Sequence, residues 1–137
     1  MDNINPDYLY SELSDNIINC YYKVYNTLGF GFLEKIYQKS LEIELRKSGL
    51  IVESQYPIKV YYDNSIVGEY YADIFVESKI IVEIKAIEIL VKESELQLIN
   101  YLKSTNVEVG LLLNFGKKPE VKRKVYTNDK KNFEINQ

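Results

Sequence analysis

After Gly49 the apolar residues change period, and that switch governs what the chain can build. Upstream, Leu9, Leu13, Ile17, Cys20, Tyr21, Val24 and Leu28 recur at three- and four-residue steps, predicting an amphipathic helix from Tyr8 to Leu28. Gly29-Phe30-Gly31 interrupts it. A second helix follows, with Leu33, Ile36, Tyr37, Leu41 and Leu45 on its buried stripe and Gly49 suited to a left-handed terminating residue. Downstream, residues 51–62, 66–76 and 80–87 read as strands, with a turn at Asp63-Asn64-Ser65 and a tight connection near Ser78. Pro57 hints that the first of them is an edge or irregular. Residues 93–103 return to helical spacing through Leu96, Ile99 and Leu102 or Lys103. Residues 107–115 form a strongly apolar strand, expected to be central and covered on both faces, and 121–126 a final edge strand. The order α-α-β-β-β-α-β(-β) predicts an α/β (α+β) fold: a mixed central sheet flanked by helices.

A chain of 137 residues without repeats or Pro/Gly-rich linkers is expected to be one domain, 1–137. No uninterrupted apolar run exceeds three residues, so no membrane span or signal-peptide core is expected, and the polar start Met1-Asp2-Asn3 is unlike a targeting peptide. The single cysteine, Cys20, forbids an internal disulfide and fits a reducing cytoplasm. There is no histidine, which excludes Ser-His-Asp and Cys-His nucleophile systems and, with one cysteine, a closed structural zinc site. Chemistry is left to carboxylates, lysine, tyrosine and amides, which suit hard cations such as magnesium or manganese.

Charge is uneven. Residues 116–131 hold seven basic residues against Glu120 and Asp129, a local net of +5 on a body of −8. Such a segment can meet phosphates, or it can be a solvated strand edge whose lysines discourage further pairing.

The hairpin from Gly68 to Ile87 carries the pattern with most chemistry in it. Alternation puts Glu69, Tyr71, Asp73 and Phe75 on one side of the first strand, and Ile81, Glu83, Lys85 and Ile87 on one side of the second. A turn centred on Ser78 sets Asp73 directly across from Glu83. Two facing carboxylates destabilise a hairpin, and a divalent cation reverses the sign of that interaction. Lys85 lies about 7 Å further along the same face, within reach of a phosphate or water held by such an ion; a surface ladder with Asp73 or Glu83 is the bland reading. These charges interrupt strands that are otherwise densely apolar, and buried charges need partners. Gln97 and Tyr101, four apart, share one helix face, and Glu34 and Tyr37 stand near the start of the second helix. Each also has a plain reading: a half-buried tyrosine with a solvated glutamine, and an acid interacting with the helix dipole.

Asp73, Glu83-Ile84-Lys85 and Gln97-Leu98-Ile99-Asn100-Tyr101 together resemble the PD-(D/E)XK nuclease superfamily, in its RecB-like branch with a Gln-x-x-x-Tyr motif. Gly31-Phe32-Leu33-Glu34-Lys35-Ile36-Tyr37 is similar to the signature of the small GxxExxY proteins of that superfamily. The resemblance runs from about Ile17 to Phe115 and takes in Tyr70-Tyr71-Ala72-Asp73 and Asn114-Phe115. It implies a restriction-endonuclease-like core. It also implies a metal site of Glu34, Asp73, Glu83 and the Ile84 backbone carbonyl, with Lys85 steadying the attacking water or the developing charge. Gln97 and Tyr101 would organise the site or contact the substrate backbone. Ala72 stands where the superfamily's name has proline, and histidines that relatives carry near Tyr25 and Ser94 are missing.

The expected function is therefore a magnesium- or manganese-dependent nuclease that hydrolyses phosphodiester bonds in nucleic acid, with DNA the expected substrate. The alternative is a nuclease-fold module that binds nucleic acid or protein in a larger complex without turnover. A homo-oligomer with some of the 13 tyrosines at its interface is a third reading.

Overall fold

A computed structural model describes residue 5 and residues 8–131. The polar start Met1 to Asn3 lies outside the described residues. Helices α1 (Ser11–Leu28) and α2 (Glu34–Lys47) precede strands β1 (Val52–Tyr62), β2 (Ser65–Val76) and β3 (Ile80–Lys85); α3 (Lys92–Lys103), β4 (Val109–Phe115) and β5 (Pro119–Val125) follow. The order is the one anticipated, with the final strand present. Among the described residues, no helix is long and apolar enough to cross a membrane.

The sheet runs β1-β2-β3-β4-β5, with β3 and β4 parallel and the other pairs antiparallel. Because β3 and β4 are parallel, the chain must cross over between them, and α3 is that crossover. It covers one face, where Leu98, Tyr101 and Leu102 pack on Phe75, Ile81 and Leu112. Helices α1 and α2 cover the other, placing Ile17, Tyr21, Tyr37, Leu41 and Leu45 against Ile74, Val82, Leu111 and Leu113. Covered on both faces, β4 is buried at every residue.

Local chemistry explains the boundaries. Helix α2 ends where Gly49 turns left-handed (φ 84°), with its N–H donating to the Arg46 carbonyl at 2.9 Å and the Leu50 N–H to the Leu45 carbonyl at 3.1 Å. Asp63 and Asn64 both take positive φ, as a two-residue hairpin turn requires. Pro57 sits in the edge strand β1.

Three expectations change. Leu33 and Ile36 are exposed rather than on the buried stripe of α2, which instead reads Tyr37, Leu41, Glu42 and Leu45. Leu96 is exposed, and α3 buries Leu98, Tyr101 and Leu102, because the covering sheet lies on that side. The third strand stops at Lys85 rather than Ile87. The Ile87 N–H and C=O are held at 3.0 and 2.9 Å by the fully buried side chain of Asn114 on β4.

That arrangement brings the Ile87–Glu88 backbone over Gly116. A Cβ on Gly116 would stand 2.3 Å from the Ile87 carbonyl oxygen, whereas one on Gly68 meets only ordinary van der Waals neighbours. Gly116→Ala is expected to destabilise the protein by about 1–3 kcal/mol and Gly68→Ala by less than about 1 kcal/mol, as read by urea denaturation. Equal midpoints for the two variants would contradict the close approach.

Candidate active site

Strands β2 and β3 pair only through Ile74 with Val82, Phe75 with Ile81 and Val76 with Ile80. Beyond that point β2 continues with β1, and β3 with β4. Side chains take over from the backbone at the parting. The Asp73 N–H donates to Glu83 Oε2 at 2.7 Å, and the Ile84 N–H donates to Asp73 Oδ2 at 2.8 Å. Asp73 and Glu83 thus come together across the hairpin, as a turn centred on Ser78 requires.

The expected sharing of one face by Glu69, Tyr71, Asp73 and Phe75 does not survive. Ala72 and Phe75, three apart, pack in the same cluster under α3, while Ile74 faces the other helices. Alternation therefore breaks at Asp73. Opposite it, Gln55 of β1 adopts a left-handed φ of 54°, and the pairing skips both residues.

Burial dominates the electrostatics. Glu83 is 7% exposed, and desolvation, followed by the Asp73 charge, pushes its carboxyl up to about 8. Asp73 is raised as well, by burial first; the Ile84 N–H opposes the shift, and Glu34 and Glu42 add to it. Lys85 lowers both acids through its charge, yet it forms no ion pair among the described residues. The simple surface ladder is thus not what the structure contains. In an extended strand the N–H and C=O of one residue point to the same edge, so the Ile84 carbonyl faces the gap with its N–H.

Helix α2 supplies a polar stripe to the same place. Glu34 is its first residue, and it lies close enough for its charge to raise both Asp73 and Glu83. One turn on, Gln38 Nε2 donates to the Asp73 carbonyl and to Glu42 Oε2, both at 3.0 Å. Gln38 and Glu42 had gone unnoticed in the sequence, although steps of four from Glu34 put them on its face. Tyr37 sets the start of the helix: its hydroxyl donates to the Gly29 carbonyl at 2.6 Å and accepts from the Phe32 N–H at 3.2 Å. Its ring stacks on Phe115, centroids 4.2 Å apart.

On α3, Tyr101 and Gln97 line a groove beside the acids. Burial, then the charges of Glu83 and Asp73, push the Tyr101 hydroxyl up to about 12. The basic segment serves mostly as structure. Lys124 pairs with Glu95 at 2.7 Å and Lys117 with Glu88 at 3.3 Å, Arg123 donates to the Leu9 carbonyl, and Lys131 Nζ donates to the Thr105 and Val107 carbonyls. The edge-strand reading of that segment fits these contacts better than a separate phosphate-binding tail.

Among the described residues, no group of three or more acids, histidines or cysteines is arranged to hold a metal ion. The donors fit a hard divalent cation in kind: two facing carboxylates, both raised by burial, beside a backbone carbonyl. In number they are two acids with a third at the helix start.

Comparison with known families finds that the PD-(D/E)XK nuclease superfamily matches residues 11–124. No curated protein and no solved structure matches the chain.

Because the Glu83 carboxyl titrates from 4.5 in its unperturbed state to about 8 in the fold, the folded chain holds the extra proton across that window. Stability must then fall as pH rises through it. Calorimetric unfolding without divalent ions is expected to show this decline. Glu83→Gln, which keeps the acceptor for the Asp73 N–H and cannot ionise, flattens it and melts about 4 °C or more above wild type at pH 8. An unchanged slope in the variant would place the dependence elsewhere.

Proposed function

The chain belongs to the PD-(D/E)XK nuclease superfamily, and from that membership we propose that it is a divalent-cation-dependent nuclease acting on phosphodiester bonds, with DNA its substrate. The observation that carries this reading is the pair of hydrogen bonds where β2 and β3 part, from the Asp73 N–H to Glu83 and from the Ile84 N–H to Asp73, which holds two desolvated carboxylates together beside a half-buried lysine. We assign the protein to the GxxExxY branch on Gly31, Glu34 and Tyr37, and assign the Gln-x-x-x-Tyr pattern to Gln97 and Tyr101. The Tyr37 hydroxyl supports the first assignment, since it fixes the loop that delivers Glu34.

In this proposal Asp73, Glu83 and the Ile84 carbonyl hold magnesium or manganese, and Glu34 contributes further negative charge from the edge. Such an ion supplies positive charge at the phosphate and activates water for attack. The chain's own residues do the rest. Lys85 offers fixed positive charge where the transition state gathers negative charge. The Asp73 and Ile84 N–H groups keep both carboxylates aimed into the gap, and Gln38 ties the helix that bears Glu34 to the strand that bears Asp73. Tyr101, held protonated, is a donor within range of both acids' charges.

A second reading has its own support. Outside residues 116–131 the chain carries a net charge of −8, which opposes tight autonomous binding of a phosphate backbone and favours a nuclease-fold module that binds nucleic acid or a protein partner in a larger complex without turnover.

Two measurements separate the readings. Incubated with labelled single- and double-stranded DNA and manganese or magnesium, the wild type is expected to cleave, Asp73→Ala to fall to background, and Lys85→Ala to lose about 100-fold or more. Activity persisting in both variants would remove the assignment. Titration calorimetry with manganese is expected to show binding that Asp73→Ala abolishes, and a folded wild type that binds no ion would leave the module without turnover.

A further inference from the structure

We propose that the groove beside the acid pair seats an unpaired nucleobase of a single-stranded nucleic acid, stacked on Tyr70. This rests on the nuclease reading for the identity of the substrate and on the groove itself for its strandedness. The groove has a volume of about 440 Å³, within the range of small-ligand pockets. It lies between the part of β2 that has left β3 and the helix α3, with Tyr70 and Tyr101 on its walls at a centroid distance of 5.6 Å. Tyr70 is 48% exposed, which leaves ring surface open to a ligand in the groove. Leu96, also half exposed, adds apolar surface, and the amides of Gln97 and Asn100 on the groove wall add donors and acceptors of the kind a base edge can meet.

Charge decides which part of a nucleotide fits. No lysine or arginine lines the groove, and Glu93 does. A phosphate would be repelled there, while a neutral ring system is accepted and its exocyclic amino groups can donate to the carboxylate. A duplex presents its phosphates outward and keeps its bases stacked, so a base can enter only when unpaired. Tyr101 links the groove to the acids: it belongs to the groove wall and feels the charges of both Glu83 and Asp73. A base in the groove and a phosphate at the acids are then neighbouring parts of one strand.

The test measures binding without chemistry. Fluorescence anisotropy in EDTA uses fluorescein-labelled single strands of about 12 nucleotides, deoxy and ribo, and the matching DNA duplex, with the full chain. The single strand is expected to bind more tightly than the duplex. Tyr70→Leu is expected to weaken single-strand binding by about 5- to 150-fold, the range for one lost base stack, with duplex binding unmoved. Asn100→Glu, at an exposed helix position, is expected to weaken it too, and decides the matter if Tyr70→Leu does not fold. Dependence on these residues with either sugar supports the inference. No measurable single-strand binding, preference for duplex, or wild-type affinity in both variants overturns it. Residue-dependent binding without any cleavage in manganese sinks only the catalytic reading, and cleavage with binding indifferent to Tyr70 and Asn100 sinks only the groove.

Discussion

Two hydrogen bonds, from the Asp73 N–H to Glu83 and from the Ile84 N–H to Asp73, replace the backbone ladder at the place where β2 and β3 separate. A sheet that splits in this way leaves backbone donors without carbonyl partners, and buried donors must be satisfied. Here the satisfying groups are carboxylates. The repair of the split and the creation of a pair of buried acids are therefore one event. Other elements converge on that opening: β1 pairs with β2 where it leaves β3, α3 brings Tyr101 within range of both acids' charges, and α2 reaches the Asp73 carbonyl through Gln38.

The frame that holds these parts is aromatic and sits at the C-terminal end of β4. Phe115 takes Tyr37 as a stacked neighbour and Tyr21 edge-on, while the Tyr25 hydroxyl donates to the Gly116 carbonyl at 2.6 Å. Tyr21 donates to the Asn114 carbonyl, and the Asn114 side chain pins the exit of β3. Both early helices and the site-bearing strand are thereby referred to the same few residues of a strand that is buried throughout. This also divides the tyrosines. Tyr21 and Tyr37 are core, whereas Tyr8, Tyr62, Tyr70 and Tyr71 are exposed.

The acids work against the fold that contains them. Desolvation raises both, and the Asp73 charge adds to the difficulty of ionising Glu83. A core chosen for stability alone would not place them there, and departures from local consistency of this sort gather at functional sites. Lys85 and the two backbone donors relieve the cost only in part, which leaves the pair receptive to positive charge.

Much of this was legible in the chain. The helical and extended patterns marked all eight helices and strands, the covered central strand was evident from the strongly apolar character of β4, and a turn centred on Ser78 was enough to set Asp73 against Glu83. These are local matters: side-chain period and turn length act between residues a few positions apart, so a linear pattern records them. The face of α2 and α3 that is buried, the break in alternation at Asp73, the reach of Gln38 to that strand and the groove under Tyr70 were not legible. They depend on where a helix docks and which of two neighbours a strand follows when its pairing is contested, and those choices are made by contacts between residues distant in the chain, as between Gln38 and Asp73, 35 positions apart. The sequence by itself determined the elements, their order and the two acids that must meet. Only the tertiary structure decided how open the space around them is, because that space is bounded by surfaces from four separate segments that no single stretch of sequence contains.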